Sequence, residues 1–375
     1  MADGQIRILH VLGTMNPGGV ETWLLHVLKF IDRKRFQFDI CTFGPDAGLY
    51  AGEVEKLGAR IVPCPIGRDL WSFRKRFRGI LRQGKYDIVH SHVTLFSGVV
   101  LRWAKAEGVP VRIAHSHTSR DDRSDTLARR CYRKLMKSLI ARNATHGLAA
   151  SRLCAAELFD QDWEGDSRFR VLHCGIDLRP FEEPIVREEV RRELGIPPDA
   201  TVVGHVGRFV PAKNHRFLLE IAGEISKMRP YIHFLFVGDG PLRPEIEAKA
   251  TAMGFNGNMH FTGNRMDVPR VMRGGMDVFI LPSLWEGLPL ALIEAQAAGL
   301  RCISSEMITD EANVLPERCV RLRLSRQPAE WAAAAVDALA QRESRSGPLV
   351  SAIAQTDFCA RRSASLLSDV YSTAK

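Results

Sequence analysis

At 375 residues, with 45% hydrophobic and 25% charged residues, the chain has the composition of a globular protein and is too long for one typical core, so we expect two domains. It has no run near the roughly 20 apolar residues of a membrane span and no signal-peptide pattern at its N-terminus, and its eight cysteines are scattered singly, which favours a reducing, cytoplasmic compartment. Of its 52 basic and 43 acidic residues, 28 and 18 fall in residues 1–175, and this balance of +10 beside a near-neutral remainder indicates an anionic surface or ligand.

The first half of the chain alternates short apolar runs with helical patterns. The predicted strands are Ile6–Leu12, Phe38–Phe43, Arg60–Cys64, Ile88–Ser91, Val111–His115 and Gly147–Ala150. The predicted helices between them are Val20–Ile31, Gly48–Leu57, Leu70–Gln83, Leu95–Glu107 and Thr126–Asn143. This repeated β-α-β order predicts an α/β, Rossmann-like domain with a parallel, doubly wound sheet.

The second half repeats the same alternation. Its predicted strands are Thr201–Val206, His233–Val237, Met259–Thr262, Val278–Pro282 and Arg301–Ser304. Its predicted helices are Phe217–Met228, Leu242–Met253, Val268–Gly274, Leu290–Ala298 and Pro328–Gln341. The polar stretch Asp177–Asp199 is expected to join the halves, and Ala352–Tyr371 is predicted to form a last helix with no strand after it. We therefore expect a domain over 1–175, a second over 176–351 and a C-terminal helix in 352–375, with ligands in a cleft at the carboxyl ends of the strands.

The segment Glu286–Glu294 is the most informative motif. It follows a predicted buried strand and opens a helix, with Pro289 suited to the first helical position. The helix N-terminus delivers bare amides that bind phosphate. Glu286 and Glu294 are poor phosphate ligands but good acceptors for sugar and ribose hydroxyls, so the pattern suggests a nucleotide-sugar. An ordinary strand–loop–helix joint with two surface glutamates is the alternative.

Two other strand-to-helix loops carry features that suit an anion. Gly18 and Gly19 open the first predicted helix, where backbone approaches a ligand closely, although a plain tight turn has the same pattern. Arg208 and Lys213 follow the first strand of the second half and together would neutralise a diphosphate leaving group, unless they belong to a solvated basic loop. Arg265 would stack on or bond to a base.

Two histidine dyads, His90 with His92 and His115 with His117, end predicted strands. Imidazoles at i and i+2 point the same way from a strand and would share a metal, as in a metal hydrolase. No carboxylate-rich motif accompanies them, and strand-end packing is the expectation for the first dyad. For His117 a functional role is favoured.

Two segments, Leu70–Arg82 and Leu127–Arg142, place basic residues between apolar ones at helical spacing. Such helices bind anionic membrane surfaces, where each basic residue contributes roughly 1 kcal/mol. A core-packing helix with a solvated face is the alternative. Nucleic acid would also suit the charge, but the loops described above indicate a small phosphorylated ligand instead.

Taken together, these motifs resemble retaining glycosyltransferases of family 4, which have the GT-B fold of two Rossmann-like domains facing a central cleft. The elements of the resemblance occur in the family's order and spacing over nearly the whole chain. They are Gly18-Gly19, the strand end His115–His117, Cys174–Asp177, Gly207-Arg208 with Lys213, Gly238–Pro241 and Glu286–Glu294. The segments Ala114–Thr118 and Ile303–Glu311 most resemble transferases that build bacterial exopolysaccharide or other surface glycans. Cys174 stands where the family often has Asn.

The resemblance implies a role for each candidate residue. Arg208 and Lys213 hold the diphosphate, Glu294 accepts from the ribose, Glu286 accepts from the donor sugar, and His117 lies near the anomeric carbon. The further donor-binding residues implied are Gly18, Gly19, Arg265, Gly287, Leu288, Pro289 and Leu290. Arg208, Lys213, Glu286 and His117 form the implied catalytic set. No metal or other cofactor is implied, because cationic side chains and amides stabilise the leaving phosphate directly.

The resemblance also implies the reaction. A hexosyl or N-acetylhexosaminyl unit would move from a nucleotide-sugar, a UDP-sugar before GDP-mannose, to a lipid-linked or glycan acceptor at the inner face of the membrane, with no nucleic acid involved. Alternatives are a UDP-sugar 2-epimerase of the same fold, a metal hydrolase using the histidine dyads, and a non-catalytic sugar-nucleotide sensor. The sequence does not fix the donor, the acceptor, the linkage or the oligomeric state.

Overall fold

The structure is a computed structural model that describes residues 4–44, 46–67, 69–121, 123–255, 257–341 and 349–373. The chain forms two compact units, Met1–Gly175 with Ala360–Lys375, and Ile176–Cys359. Within the described ranges, every helix is too short or too polar to traverse a lipid bilayer. All eight cysteines lie in those ranges and are free thiols, as the sequence predicts.

The first unit is built on a parallel sheet. Its strands are β1 (Ile6–Leu12), β2 (Phe36–Thr42), β3 (Arg60–Pro63), β4 (Ile88–Ser91), β5 (Val111–Ser116), β6 (His146–Ala149) and β7 (Phe169–Val171). Its helices up to Gly175 are α1 (Gly19–Phe30), α2 (Ala51–Lys56), α3 (Leu70–Gly84), α4 (Ser97–Ala106), α5 (Leu127–Asn143) and α6 (Arg152–Phe159). In the described residues the strand order is β3-β2-β1-β4-β5-β6-β7. Strands β2 and β3 thus lie on one side of β1, and strands β4 to β7 lie on the other.

The second unit repeats the architecture. Its strands are β8 (Thr201–Val206), β9 (Ile232–Val237), β10 (Met259–Phe261), β11 (Val278–Leu281), β12 (Arg301–Ser305) and β13 (Cys319–Leu322). Its helices are α7 (Arg187–Glu193), α8 (His215–Met228), α9 (Arg243–Ala252), α10 (Val268–Gly275), α11 (Leu290–Ala297), α12 (Pro328–Ala340) and α13 (Val350–Ala354). Among the described residues the order β10-β9-β8-β11-β12-β13 is parallel throughout.

Burial explains why the central strands are almost continuously apolar. Helices cover both faces of a parallel sheet, so side chains on both faces are removed from water. All four residues of β11 are buried, and so is β1 except for Arg7. In the second unit Trp331 of α12 is fully buried against the sheet residues Phe234 and Ile280. The predicted fold class, α/β with two Rossmann-like units of parallel sheet, is confirmed.

The C-terminal segment differs from its prediction as one helix over Ala352–Tyr371. The helix α13 ends at Ala354, and a new helix, α14 (Ala360–Ser372), begins after a turn in which the Thr356 hydroxyl donates to the carbonyl of Ile353 at 2.7 Å. The turn divides the segment between the two units, because the second unit ends at Cys359.

The helix α14 is fixed inside the first unit by polar contacts with distant residues. The indole Nε1 of Trp23, on α1, donates to the Ser363 hydroxyl at 3.1 Å. That hydroxyl donates in turn to the carbonyl oxygen of His173 at 2.8 Å. All three groups are removed from bulk water, so the bonds orient α14 on the sheet.

Several short elements were not predicted. The edge strands β7 and β13 and the helix α6 are absent from the sequence-based assignment. The stretch Asp177–Asp199, predicted as a polar connection, contains α7 and belongs to the second unit. Its Arg191 is 2% exposed and bonds to Asp277 at 2.9 Å, so the charges that make the stretch look solvated include a buried ion pair.

Candidate active site

Three loops at the carboxyl edge of the second sheet are joined by backbone hydrogen bonds. The amide of Gly207 donates to the carbonyl of Val237 at 3.0 Å, and that of Phe209 donates to Asp239 at 2.9 Å. Gly238 has φ +132°, and a Cβ at that position would lie 2.2 Å from the carbonyl oxygen of Gly207. Only glycine fits there, so this contact fixes the path of the loop that carries Arg208.

Lys213 and Glu286 form an ion pair. The turn before α8 brings them together, because the Leu284 amide donates to the Ala212 carbonyl at 2.7 Å. The Nζ of Lys213 lies 2.5 Å from Oε1 of Glu286, with 16% and 12% of the side chains exposed. The hydroxyl of Ser283 donates to the same oxygen at 2.6 Å. The sequence reasoning assigned Lys213 and Glu286 to different parts of a ligand and missed Ser283, whose place three residues before Glu286 was the available signal.

Arg208 has a different environment. Its side chain is exposed, and in the described part of the chain it makes no hydrogen bond or ion pair. A guanidinium of this kind keeps all five of its donors available in a planar arrangement that matches a phosphate. Arg208 and Lys213 therefore supply one unpaired and one paired cation to the same edge of the sheet.

The helix α11 begins at Leu290, as predicted. Pro289, expected at the first helical position, is instead the N-cap, with φ −78° and ψ 91°. The fixed φ of proline suits both the cap and the first turn, so the residue type does not separate the two positions. The amides of Leu290 and Ala291 precede the first possible intrahelical bond and are available to an anion. The preceding residues Gly287 and Leu288 are buried and lead the chain into this turn.

Glu294 lies on the second turn of α11. Its side chain is half-buried and has no hydrogen-bond or ion-pair partner among the described residues. Burial raises the pKa of Glu294 to about 8, because the charged carboxylate is poorly solvated there. A carboxyl group of this kind gains from a ligand that donates hydrogen bonds to its ionised form.

Arg265 is less available than the sequence suggested. Its Nε and Nη2 donate to the two carboxylate oxygens of Asp267 at 2.8 Å and 2.7 Å. This bidentate pair holds the guanidinium plane in place. The remaining face is the part of the side chain that would stack on a base.

The remaining candidates lie in the first unit. The helix α1 begins at Gly19, with Gly18 as its extended N-cap. A Cβ at Gly19 would meet no heavy atom within 4 Å, so the fold itself does not demand glycine there. At Gly18 a Cβ would approach the flexible carboxylate of Glu21. The backbone is therefore open to a ligand at Gly19, whereas the Glu21 carboxylate lies beside Gly18.

His117 is half-buried just beyond the end of β5, with both ring nitrogens directed at protein neighbours. Its Nε2 lies 2.9 Å from Nδ1 of His92, and its Nδ1 lies 3.7 Å from Sγ of Cys174. Burial lowers the pKa of His117 to about 3, so the ring is neutral at pH 7. A ring with this pKa is a weak base, and both of its nitrogens already face protein partners.

The histidine dyads form one cluster in the first unit. Two groups, His10 with His90 and His92, and His92 with His115 and His117, each place candidate ligand atoms within 4.8 Å of one another. These are the described residues best arranged to hold a metal ion. In the structure three hydrogen bonds join these rings to one another, and other nitrogens of the cluster bond to Tyr371 or to Cys174. His10 was not singled out from the sequence, because it lies in the middle of an apolar strand.

Family models match both units. Residues 17–179 match the model described as Glycosyltransferase Family 4, and residues 186–339 match the model described as Glycosyl transferases group 1. EpsF of Bacillus subtilis (strain 168), named as a glycosyltransferase, is 33% identical over 375 residues, which cover 99% of this chain and 97% of the relative. The UDP-Gal:alpha-D-GlcNAc-diphosphoundecaprenol alpha-1,3-galactosyltransferase of Escherichia coli is 28% identical over 81% of this chain and 80% of its own length.

Solved structures show the same fold. The crystal structure of Anabaena HepE in complex with UDP-glucose has a TM-score of 0.80 at 18% identity and covers 98% of this chain and 100% of its own. WaaG, a glycosyltransferase involved in lipopolysaccharide biosynthesis, has a TM-score of 0.68 at 17% identity, covering 98% of this chain and 97% of its own. The predicted GT-B fold class is therefore confirmed. Because a relative of 33% identity matches almost end to end and both family models fit, the chain belongs to glycosyltransferase family 4, in the group 1 glycosyl transferases.

Proposed function

We propose that the protein is a metal-independent, retaining transferase. It moves a hexosyl or N-acetylhexosaminyl unit from a UDP-sugar to a lipid-linked or glycan acceptor during synthesis of a surface polysaccharide. The E. coli relative is named for a UDP-galactose donor and a diphosphoundecaprenol acceptor, and another relative, CapH of Staphylococcus aureus, is named for capsular polysaccharide biosynthesis. HepE was solved with UDP-glucose. We assign the donor and acceptor classes to this protein on the basis of its similarity to these proteins.

One observation carries the proposal: two cations and a helix N-terminus meet at the carboxyl edge of the second sheet. Arg208 is exposed and unpaired in the described chain, Lys213 is held by Glu286, and α11 presents its first amides. A diphosphate bound there would draw Lys213 from its carboxylate partner and leave Glu286 free. The charge that develops on the leaving diphosphate would be stabilised without rearrangement of the backbone.

The two glutamates then divide the rest of the donor. Glu294 accepts hydrogen bonds from the ribose hydroxyls, which favour its ionised form. Glu286, once released by Lys213, accepts from hydroxyls of the sugar. Arg265, held flat by Asp267, stacks on the base. The family resemblance supports each of these roles, and the lack of a side-chain partner for Glu294 among the described residues supports its role as an acceptor.

The first unit supplies the contacts around the sugar. By the family resemblance we assign Gly18 and Gly19, at the N-terminus of α1, to the diphosphate. We place His117 beside the sugar ring, where its engaged ring nitrogens leave the contact to its backbone. His117 is therefore assigned to positioning and not to proton transfer.

The transfer proceeds on one face of the sugar. The bond between the anomeric carbon and the β-phosphate oxygen breaks while the acceptor oxygen bonds to the same face of that carbon. The acceptor proton passes to the departing phosphate oxygen, so no enzymic nucleophile is required and configuration is retained. Arg208, Lys213 and the α11 amides fill the charge-stabilising role that a divalent ion has in other transferases.

The experiment that tests the proposal combines binding with turnover. The purified chain is screened by thermal shift with UDP-, GDP- and ADP-sugars, and the stabilising donor is then incubated with a diphosphoundecaprenol-linked sugar, with and without EDTA. Transfer that survives EDTA and gives the donor's anomeric configuration by NMR supports every part of it. Turnover of a UDP-sugar without acceptor would indicate the 2-epimerase instead, although the relatives reported above carry transferase names.

We also propose that the enzyme works as a peripheral protein at the cytoplasmic face of the membrane. The helix α3 buries Phe73 and Phe77 but exposes Leu70 and Trp71, and the Asp69 side chain caps its N-terminus. Within the described residues, the neighbouring cations Arg74 and Lys75 pair with no acidic side chain. In α5, by contrast, Arg130 and Lys137 are neutralised by Asp125 and Asp160. We choose α3 as the membrane contact because it exposes the aromatic side chain of Trp71 beside these two cations.

Vesicle co-sedimentation tests this surface. Binding to vesicles with anionic lipid should fall when Trp71 is replaced by Ala, because the variant loses an aromatic group that would enter the interface. Tyr231→Ala is the matched control, since Tyr231 is a 91% exposed aromatic of the second unit. Equal binding by both variants would rule out α3 as the contact.

A further inference from the structure

A continuous chain of hydrogen-bonded rings crosses the first unit. Its members are five imidazoles, which lie on β1, β4 and β5 or directly after these last two strands, and the phenol of α14. In order they are His117, His92, His10, Tyr371, His90 and His115. The proposed function uses only the first member, so the chain requires its own explanation.

One arm of the chain links His117 to the C-terminal helix. Nε2 of His117 lies 2.9 Å from Nδ1 of His92, and Nε2 of His92 lies 2.9 Å from Nδ1 of His10. The other nitrogen of His10 lies 3.1 Å from the hydroxyl of Tyr371. Tyr371 belongs to α14, which is 361 residues from His10 along the chain.

The second arm begins at the same hydroxyl. The Tyr371 oxygen lies 2.7 Å from Nδ1 of His90, and Nε2 of His90 lies 3.1 Å from Nδ1 of His115. Nε2 of His115 is buried and has no hydrogen-bond partner among the residues that the structure describes, so the series of bonded rings ends there. The ring of Trp23 packs edge-on against the His115 ring, with 5.1 Å between the ring centroids, and covers this end of the series of rings.

The sheet register assembles these rings. His10 of β1 pairs directly with His90 of β4, and β4 pairs with β5 on its other side. Residues two apart on a strand project to the same face, so His92 follows His90, and His117 follows His115. The rings therefore stack in adjacent columns, with 4.3 Å between the centroids of His90 and His92.

The hydrogen bonds couple the protonation of one ring to that of the next. A neutral imidazole has one donor and one acceptor nitrogen. His92, His10 and His90 each use one nitrogen toward each neighbour, so a single donor direction must run through all of them. Tyr371 transmits that direction because its hydroxyl donates once and accepts once. Burial lowers the pKa of His10 to about 3 and those of His90 and His92 well below their usual values, so the rings are neutral.

We propose that Tyr371 is a positioning residue for glycosyl transfer, which acts through His10 and His92 to hold one tautomer and one orientation of His117. The inference rests on the proposed function, in which His117 lies beside the donor sugar. Without the Tyr371 hydroxyl, two buried nitrogens lose their partner and the two arms of the chain become independent. His117 then samples both tautomers, and the strand end that carries it loses its fixed position.

The test is Tyr371→Phe in the full chain, with Tyr86→Phe as its matched control. Tyr86 is a buried phenol of the same unit, and its hydroxyl donates to Asp39 at 2.6 Å. Among the described residues it makes no hydrogen bond to any of the six linked rings. We expect Tyr371→Phe to lower kcat on the order of 10-fold with little change in donor KM, the pattern of lost positioning. Tyr86→Phe should lose comparable thermal stability but keep its kcat.

NMR of the imidazole nitrogens reports the tautomer of His117, a property that a general loss of stability does not change. In 15N-histidine-labelled protein, assigned by loss of the signal in His117→Gln, the His117 nitrogens should show one neutral tautomer in the wild type. They should show an average of two tautomers in Tyr371→Phe and remain unchanged in Tyr86→Phe. Equal kcat and an unaltered His117 signal in Tyr371→Phe would overturn the proposal.

Two further outcomes separate the possible failures. A wild type with a single His117 tautomer but no transfer from any nucleotide-sugar would refute the proposed function, and with it the catalytic role of Tyr371, while confirming the ring chain. Stoichiometric zinc in the purified protein that is lost in His92→Gln would overturn the proposal, because the nitrogens would then be metal ligands and not hydrogen-bond partners.

Discussion

Lys213 and Glu286 are bonded to each other, with 2.5 Å between the ammonium nitrogen and Oε1 of the carboxylate, although a bound donor would contact them separately. The ion pair holds each side chain close to the position that we propose for it in the donor complex. It also neutralises both charges before a diphosphate binds. A ligand must therefore replace an existing ion pair, and the energy of that pair enters the affinity for the donor.

We expect Lys213→Ala to lower the free energy of unfolding by about 1–3 kcal/mol, because Ser283 is then the one remaining side-chain partner of the half-buried Glu286 among the described residues. Urea unfolding of both single variants and of the double variant Lys213→Ala, Glu286→Ala measures the coupling. This coupling free energy between Lys213 and Glu286 should exceed about 0.5 kcal/mol, a value typical of residues in contact. The exposed pair Arg216–Glu245 is the control and should couple more weakly than Lys213 and Glu286, because solvent screens its charges. If the losses of stability in the two single variants add up to the loss in the double variant, Lys213 and Glu286 do not interact.

Arg208→Ala should leave stability within about 0.5 kcal/mol of the wild type, since the side chain is exposed and has no partner in the described structure. Affinity for UDP should fall roughly 10- to 100-fold, which corresponds to the loss of charge-assisted hydrogen bonds. Affinity for uridine should not change. Isothermal titration with both ligands gives the comparison, and Arg192→Ala, another exposed cation of the second unit, is the control. An equal loss for uridine would remove Arg208 from the diphosphate site.

Glu294 should make both stability and donor binding depend on pH. The folded protein retains its proton up to about pH 8, whereas the unfolded chain releases it near the ordinary value of 4.5. The folded state thus binds more protons, and the free energy of unfolding should fall as pH rises through this window. Ribose hydroxyls favour the carboxylate, so the affinity for UDP-glucose should rise with pH and level off above about pH 8.

The variant Glu294→Gln separates this effect from others. It should bind UDP-glucose with an affinity that varies little over the same pH range, and it should lose the corresponding part of the stability profile. Titrations at several pH values measure the affinity, and thermal unfolding measures the stability. If the wild type and the variant show the same pH slope, Glu294 is not the group that titrates.

The parts of the fold that the sequence predicted are those with a strong local signal. Strands β8 and β11 are buried on both faces and therefore read as apolar runs, and the glycine loops after them are marked by residue type. The edge strand β13 and the helix α7 were missed, because their exposed, charged residues look like connections. The start of α11 at Leu290 was predicted, but Pro289 was assigned to the first helical position and is the N-cap, because proline fits both positions.

The site was predictable in its members but not in their contacts. Arg208, Lys213, Glu286 and Glu294 stand out by type and order along the chain. The bond between Lys213 and Glu286 joins residues 73 apart, and that between His90 and Tyr371 joins residues 281 apart. Such contacts depend on sheet register and on the turn before α14, which no local pattern specifies.

Gly238 controls the loop that carries Arg208, and its replacement tests whether the local backbone geometry matters to donor binding. In Gly238→Ala the new Cβ would collide with the Gly207 carbonyl, 2.2 Å away, at a φ of +132° that L-residues avoid. We expect a loss of at least about 1–3 kcal/mol in stability and a weaker affinity for UDP, because Gly207 must move and Arg208 moves with it. Gly79→Ala, inside α3 with no heavy atom within 4 Å of the new Cβ, should instead stabilise by about 0.5–1 kcal/mol. Urea unfolding and UDP titration measure both variants. A Gly238→Ala protein that keeps wild-type stability and affinity would show that the loop tolerates another path and that Arg208 is positioned by other contacts.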